Sequence, residues 1–213
     1  MIKRFFRCLL AVPLLFLAWM LIARVVRYFY KFPIPQFLAD LIDNPLRRRL
    51  QPPEEMPSRH QIKPGMQVLE VGPGNGTYTL ATAHHLTRSG RLVAIDIEPR
   101  MIQRVKSKIQ NAGIEYVDVR VADVNDLPFE DQVFDLVYMI TVIGEIPNRP
   151  KALQEIRRVL KSQGKLAFSE LLFDPDYPQA GNLILDVSAA GFRFLSKAGN
   201  LLDYTLIFEK SEE

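Results

Sequence analysis

Glu70, Asp96 and Asp123 each stand at or beside the end of a short apolar run, where a carboxylate meets a turn of the chain. Around the first, residues 68–76 read Val-Leu-Glu-Val-Gly-Pro-Gly-Asn-Gly. Glycines at 72, 74 and 76 let the backbone turn tightly and let a ligand approach with no Cβ in the way, and the helix behind them offers free N–H groups. A nucleotide-like ligand is implied. The spacing is G-x-G-x-G, not the G-x-G-x-x-G of dinucleotide sites, and Glu70 lies two residues before Gly72. A carboxylate there repels a pyrophosphate but pairs with an ammonium group. The expected ligand is therefore a nucleoside that carries an amino acid. Asp96, twenty residues beyond Gly76, can take both hydroxyls of a ribose. Asp123 can accept from an adenine amino group while Val124 flanks the ring. Singly, each residue has a conformational reading, as turn glycines or as a cap for the helix that begins near Pro99. Three acids at three successive strand ends are not explained that way.

The elements needed to hold these residues are legible. Gln67–Val71, Leu92–Ile95, Tyr116–Val121, Asp135–Tyr138 and Lys165–Leu172 read as strands, alternating with helices from Thr77 to Leu86, from near Pro99, and from Lys151 to Lys161, the last closed by Gly164. Asn182–Ala190 reads as a helix. Arg193–Ser196 and Tyr204–Lys210, joined around Gly199-Asn200, read as a pair of strands completing the sheet with an antiparallel edge.

Composition fits one folded domain with an appendage. Apolar residues are 48% and charged residues 24% of 213, ordinary for a globular chain. The single cysteine, Cys8, excludes an intramolecular disulfide and a multi-cysteine zinc site, and no metal is expected. Charge is uneven: residues 1–60 hold ten Lys/Arg against four Asp/Glu, and residues 61–213 seventeen against twenty. The run Arg47-Arg48-Arg49 lacks an aromatic ladder and the larger part is acidic, so nucleic acid is not an expected partner.

Cys8–Ala23 is sixteen residues without a charge, flanked by Lys3, Arg4 and Arg7 before and by Arg24, Arg27 and Lys31 after. As a helix it rises about 24 Å, short of a hydrocarbon core of about 30 Å, but flanking arginines can snorkel and Tyr28, Phe29 and Tyr30 extend it as an interfacial belt. No small-x-small cleavage site follows it, which favours an anchor over a signal peptide. The expected organisation is an anchor helix over 1–31, a linker with short amphipathic helices over 32–60, and one domain over 61–213. The linker is expected to pack, or to cover the ligand site from the membrane side.

The order VLEVGPGNG, AIDIEPRM, VADVNDLPFEDQVFDLVY and ALQEIRRVLKSQGKLAFSE resembles the class I S-adenosylmethionine (SAM)-dependent methyltransferases. Within them it resembles the small-molecule branch that includes the ubiquinone/menaquinone-biosynthesis C-methyltransferases. The resemblance implies SAM as cofactor and a Rossmann-like α/β fold: a seven-stranded, mostly parallel sheet with an antiparallel C-terminal strand, helices on both faces, plus the N-terminal hydrophobic helix. It places Glu70, Gly72, Gly74 and Gly76 around the methionine part of SAM. It sets Asp96 and Ile97 at the ribose and adenine, Asp123 and Val124 at the adenine, and Thr141 beside the sulfonium. Methyl transfer needs positioning rather than a covalent residue. Where the acceptor must lose a proton, Glu145 is the candidate base, with a loop or cap role as its other reading; His84 and His85 read as surface residues. Only Phe173–Gly181 separates the fifth strand from the next helix, so no inserted lid is expected. An open site beside a basic, apolar N-terminus implies a lipid-like or isoprenoid acceptor at a membrane, with the domain on the cytoplasmic side. The alternatives are a tethered enzyme for a soluble metabolite or protein, and a non-catalytic SAM-fold subunit.

Overall fold

The computed structural model describes residues 19, 21–27, 29–30 and 43–211. Asn44 opens the first full element, α1 (Pro45–Leu50), by accepting from the backbone of Leu46 and Arg47, with Pro45 in the first turn. Next come α2 (Met56–Arg59), β1 (Gln67–Val71), α3 (Thr77–Leu86), β2 (Arg91–Asp96), α4 (Pro99–Asn111), β3 (Val117–Val121), β4 (Phe134–Ile140), α5 (Arg149–Val159), β5 (Leu160–Leu171), α6 (Ala180–Ala189), β6 (Phe192–Gly199) and β7 (Asp203–Lys210).

The strands form one sheet in the order β3-β2-β1-β4-β5-β7-β6, the first five parallel and β7 antiparallel to both neighbours. Alternation along β1 sorts side chains to two faces. Leu69 and Val71 join the core with Leu153 and Ile156 of α5 and Leu183 and Val187 of α6. Val68 packs instead with Leu86 of α3 and Met56 of α2, and Ala94 of β2 with Ile102 and Val105 of α4. Helices therefore cover both faces, as expected, and the strand ends carrying Glu70, Asp96 and Thr141 converge at one edge.

The expected pair of strands completes the sheet at its edge, with the antiparallel β7 against β5 and β6 outermost. One expectation needs correction. The helix expected to run to Lys161 ends at Val159, because Leu160 already pairs with Phe134. The register then breaks, and pairing resumes at Leu136 with Lys165.

Most of the expected 1–31 anchor and the first part of the 32–60 linker lie outside the described residues. Residues 21–27 are helical, and among the described residues no helix is long and apolar enough to cross a membrane. Within residues 43–60, α1 and α2 are short helices. Arg59 donates to Asp203 at the start of β7, as does Gln51, each at 2.9 Å, so this segment is fastened to the sheet.

Candidate functional site

The turn from β1 to α3 shapes a cavity of about 340 Å³ at the carboxyl ends of the strands, the position where open α/β sheets take ligands. Gly72 has φ +72, and a Cβ there would fall 2.5 Å from Val142 Cγ2, so neither the backbone nor the space accepts a side chain. Gly74, at φ +54, meets nothing within 4 Å of a built Cβ and leaves the cavity floor bare backbone. Gly76 caps α3, and its Cβ position faces Val105 of α4. Its lack of a side chain lets α3 lie close against α4.

Gly72→Ala is expected to lower stability by about 2 kcal/mol in a denaturant titration, adding the left-handed penalty to a forced shift of Val142. Gly113→Ala, also at positive φ but with open space around it, is expected to lose only about 1 kcal/mol.

The acid at the cavity's inner end is Glu70. It is 3% exposed, and its Oε2 is buried with no hydrogen-bond partner. Burial pushes its carboxyl up to about 7; the hydroxyls of Thr79 and Tyr138 oppose that rise, and the charge of Asp96 adds to it. A carboxylate in this state lacks a cation. Asp96 lines the cavity at the tip of β2 and accepts from the Glu98 backbone N–H at 2.9 Å. Burial raises its pKa as well. Ile97, exposed, and Val124, buried, lie on the same side. Asp123 also lines it, its Oδ1 accepting from Asn125 N at 2.8 Å and Asn125 Nδ2 at 2.9 Å. Thr141, at φ +55, donates its backbone N–H to Ser169 O at 2.8 Å and lines the cavity beside Val142, the side chain that packs against Gly72.

Glu145 also lines the cavity and pairs with Arg27 at 3.7 Å. The two histidines do not reach it. His84 is exposed on α3, and His85 is hydrogen-bonded to Ile62 O at 3.0 Å.

Local pattern gave no sign of two further residues. Asp43 knots the linker to the glycine loop: Thr77 Oγ1 donates to it at 2.6 Å, Asn75 Nδ2 at 2.7 Å, and Arg48 with two nitrogens at 2.7 and 2.9 Å. Burial alone would raise its pKa, but these donors together hold it well below the usual carboxylate range. Arg47, a member of the arginine run, turns inward. Its Nη2 donates to Thr141 Oγ1 at 2.7 Å, and the guanidinium lies 5.6 Å from the Tyr78 ring centroid. Asn44, a capping residue type just before Pro45, is the one local signal that could have placed a helix start there. Among the described residues no group of three or more metal-type ligands occurs.

A bare glycine floor, an orphaned buried carboxylate and an acid at the tip of the next strand suit an amino-acid-bearing nucleoside. A family described as a methyltransferase domain matches residues 62–185, more than half of the chain. The chain belongs to that methyltransferase family. Its cofactor is SAM, which the orphaned Glu70 oxygen and the open face of Gly74 fit. All the expected site residues fall inside the matched span; Asp43 and Arg47 precede it.

The methyltransferase domain is 32% identical over 152 residues to the ubiquinone/menaquinone biosynthesis C-methyltransferase of Hydrogenovibrio crunogenus, covering 64% of this chain and 59% of that protein. It is 31% identical over 105 residues to a demethylmenaquinone methyltransferase of Bacillus cytotoxicus, covering 49% and 44%. The chain thus spans about half the length of these curated relatives. Among solved structures, a SAM-dependent methyltransferase from Aquifex aeolicus superposes with a TM-score of 0.78 at 23% identity, covering 84% of this chain and all of that one. The [4+2]-cyclase SpnF superposes at 0.68 with 18% identity, covering 76% and 81%. These likenesses establish the fold.

Proposed function

We propose that this methyltransferase transfers a methyl group from SAM to a hydrophobic, quinone-type acceptor reached from a membrane surface. The observation that carries the reading is the wall of the cavity around Thr141. Ile140, Val142, Ile146 and Pro147 line it, and Glu145 is set among them. An apolar wall with one carboxylate suits a ring that is held by burial and loses one proton. The two curated relatives are named for quinone biosynthesis, which supports the same acceptor class.

When bound, SAM supplies an electrophilic methyl on a sulfonium. The chain supplies the rest. Glu70 holds the ammonium, Asp96 the ribose hydroxyls, Ile97 and Val124 flank the adenine, and Asp123 accepts from its amino group. Thr141 borders the sulfonium, and the apolar wall keeps water from the acceptor. Glu145 takes the acceptor's proton.

The membrane seat rests on the helical stretch 21–27. Leu21, Ile22, Val25 and Val26 are exposed, with Trp19, Phe29 and Tyr30 beside them. The arginines turn the other way: Arg24 donates to Leu172 O at 2.6 Å, and Arg27 pairs with Asp176 and Glu145. Apolar side chains outward and cations inward reverse the pattern of a helix at a water-facing surface. Arg27, on the inward side of this stretch, reaches Glu145, so a bilayer covering the outward face would lie near the acceptor's entrance.

The test supplies the full chain with methyl-labelled SAM and liposomes carrying an isoprenoid naphthoquinol with a free ring C–H. Label is expected in the quinol of the lipid fraction. Label confined to water-soluble compounds or protein, or no transfer, overturns the reading.

A further inference from the structure

Turns between strands are built mostly from small and polar residues, and the one that joins β6 to β7 departs from that pattern. Gly199 and Asn200 are followed by Leu201 and Leu202, 79% and 41% exposed. The turn is nonetheless tightly made. Gly199 stands at φ +87 with its Cβ position 2.1 Å from Asp203 O, and Asn200 N donates to that same oxygen at 2.7 Å. The backbone of the two leucines is also occupied: Leu202 N donates to Asn200 Oδ1 at 2.7 Å, Leu202 O accepts from Leu172 N at 2.8 Å, and Leu201 O accepts from Tyr177 Oη at 3.1 Å. Backbone groups already bonded within the protein lose little when water leaves them, so this tip suits an apolar phase.

The place of the turn in the fold gives its direction. Asp203 pairs with Leu171, which sets the turn at the carboxyl edge of the parallel strands, the edge that holds the cavity. Leu172 joins it to the helical stretch 21–27, giving its N–H to Leu202 and accepting from Arg24 at 2.6 Å. Two exposed apolar surfaces, Leu201 with Leu202 and Leu21 with Ile22, Val25 and Val26, therefore meet at one residue. Grouped apolar side chains of this kind mark an interaction surface. Charge selects the occupant. Residues 1–39 hold six Lys/Arg and no Asp/Glu, which an anionic lipid surface attracts and a second copy of the same chain repels.

We propose that the β6–β7 turn is a second membrane contact, with Leu201 and Leu202 entering the acyl boundary of an anionic bilayer beside the 21–27 stretch. This rests on the membrane seat proposed above and adds a second point of attachment to it. A single helical stretch lying on a bilayer leaves the domain able to pivot about the helix axis. A second contact on a strand turn holds the carboxyl edge of the sheet toward the lipid.

The test places a tryptophan on the turn. Trp19 is the sole tryptophan of the chain, so the full chain is made with Trp19→Phe and Leu201→Trp. A companion carries Trp19→Phe and Gln110→Trp; Gln110 is exposed near the end of α4, which runs back from the tip of β2 to the opposite edge of the sheet. Both are mixed with vesicles of phosphatidylcholine and phosphatidylglycerol, with and without bromine on the acyl chains. Emission from position 201 is expected to shift to the blue and to be quenched by the brominated chains, and emission from position 110 to do neither. Leu201→Asp in the otherwise native chain is expected to weaken vesicle binding about five- to tenfold, the scale of one partly buried leucine. Its affinity for S-adenosylhomocysteine is expected to stay within about twofold of wild type, because Leu201 lies outside the cavity lining.

A tryptophan at 201 that stays unquenched on vesicles that bind the chain overturns the proposal and leaves the membrane seat standing. Equal quenching at 201 and 110 does the same. A lipid-free dimer in sedimentation that Leu201→Asp splits makes the turn a contact between copies and also overturns it. Failure of the wild-type chain to bind the vesicles removes the membrane seat and this inference together.

Discussion

Glu70→Gln is expected to weaken SAM binding about 30- to 100-fold above pH 7, the loss of one charge-assisted ion pair of about 2–3 kcal/mol. It is also expected to erase the pH dependence of binding. In the free protein the carboxyl titrates at about 7, because burial raises it. An incoming ammonium selects the ionised form and pulls the pKa down. Affinity is therefore full above about pH 7 and falls toward tenfold per unit as the pH drops below it. Calorimetry at pH 6, 7 and 8 reads this directly. A wild-type affinity flat across that range would remove Glu70 from the ammonium site.

The same variant has an opposite effect on the free protein. The folded-state pKa of about 7 lies above the usual 4.5, so the folded chain holds the proton more tightly than the unfolded chain. The stability this contributes is complete below pH 4.5 and is lost as the pH rises through 7, at up to about 1.4 kcal/mol per unit. Gln at position 70 removes that loss. The unliganded variant is thus expected to melt higher than wild type at pH 8 while binding the cofactor worse.

Asp96→Ala is expected to lower SAM affinity by about 100-fold or more, two charge-assisted hydrogen bonds to a ribose diol at about 1.5 kcal/mol each. Asp96→Asn is the informative partner. It can still accept from the Glu98 backbone N–H that Asp96 Oδ1 takes at 2.9 Å, so the turn is kept while one acceptor oxygen and the charge are lost. A loss of about tenfold is expected for Asn. Competition by free adenosine separates the two acids: it should weaken in Asp96→Ala and persist in Glu70→Gln. Equal behaviour of the two variants toward adenosine would refute the assignment of separate ends of the cofactor.

The residues that were legible in the sequence share a local cause. Glu70, Gly72, Gly74 and Asp96 act through the turn that each one helps to make, so type and spacing suffice to place them. Arg47 and Asp43 act on residues 94 and 32–34 positions away. Nothing in an arginine run tells which member turns inward, because every member is compatible with a solvated helix end. The same limit explains the sheet. Alternation marks β6 and β7 as strands, but their order across the sheet is decided by which edge of β5 remains open, and periodicity does not encode that. The early start of β5 has a similar origin: Val159 and Leu160 continue the apolar pattern of α5, and the pairing of Leu160 with Phe134 decides against the helix.

The position of β7 also orders events in the making of the protein. β6 is synthesised first, yet it meets the sheet only through β7. Until residues 203–210 arrive, β6 is unpaired and β5 presents an open edge, the state most prone to mispairing. Segment 43–60, made long before, finds Asp203 only then, through contacts that close 152 residues of chain from Gln51 and 144 from Arg59. Contacts that close so much chain form late. A nascent chain can therefore hold its glycine loop, and tie Asp43 to it, well before segment 43–60 is fastened to β7.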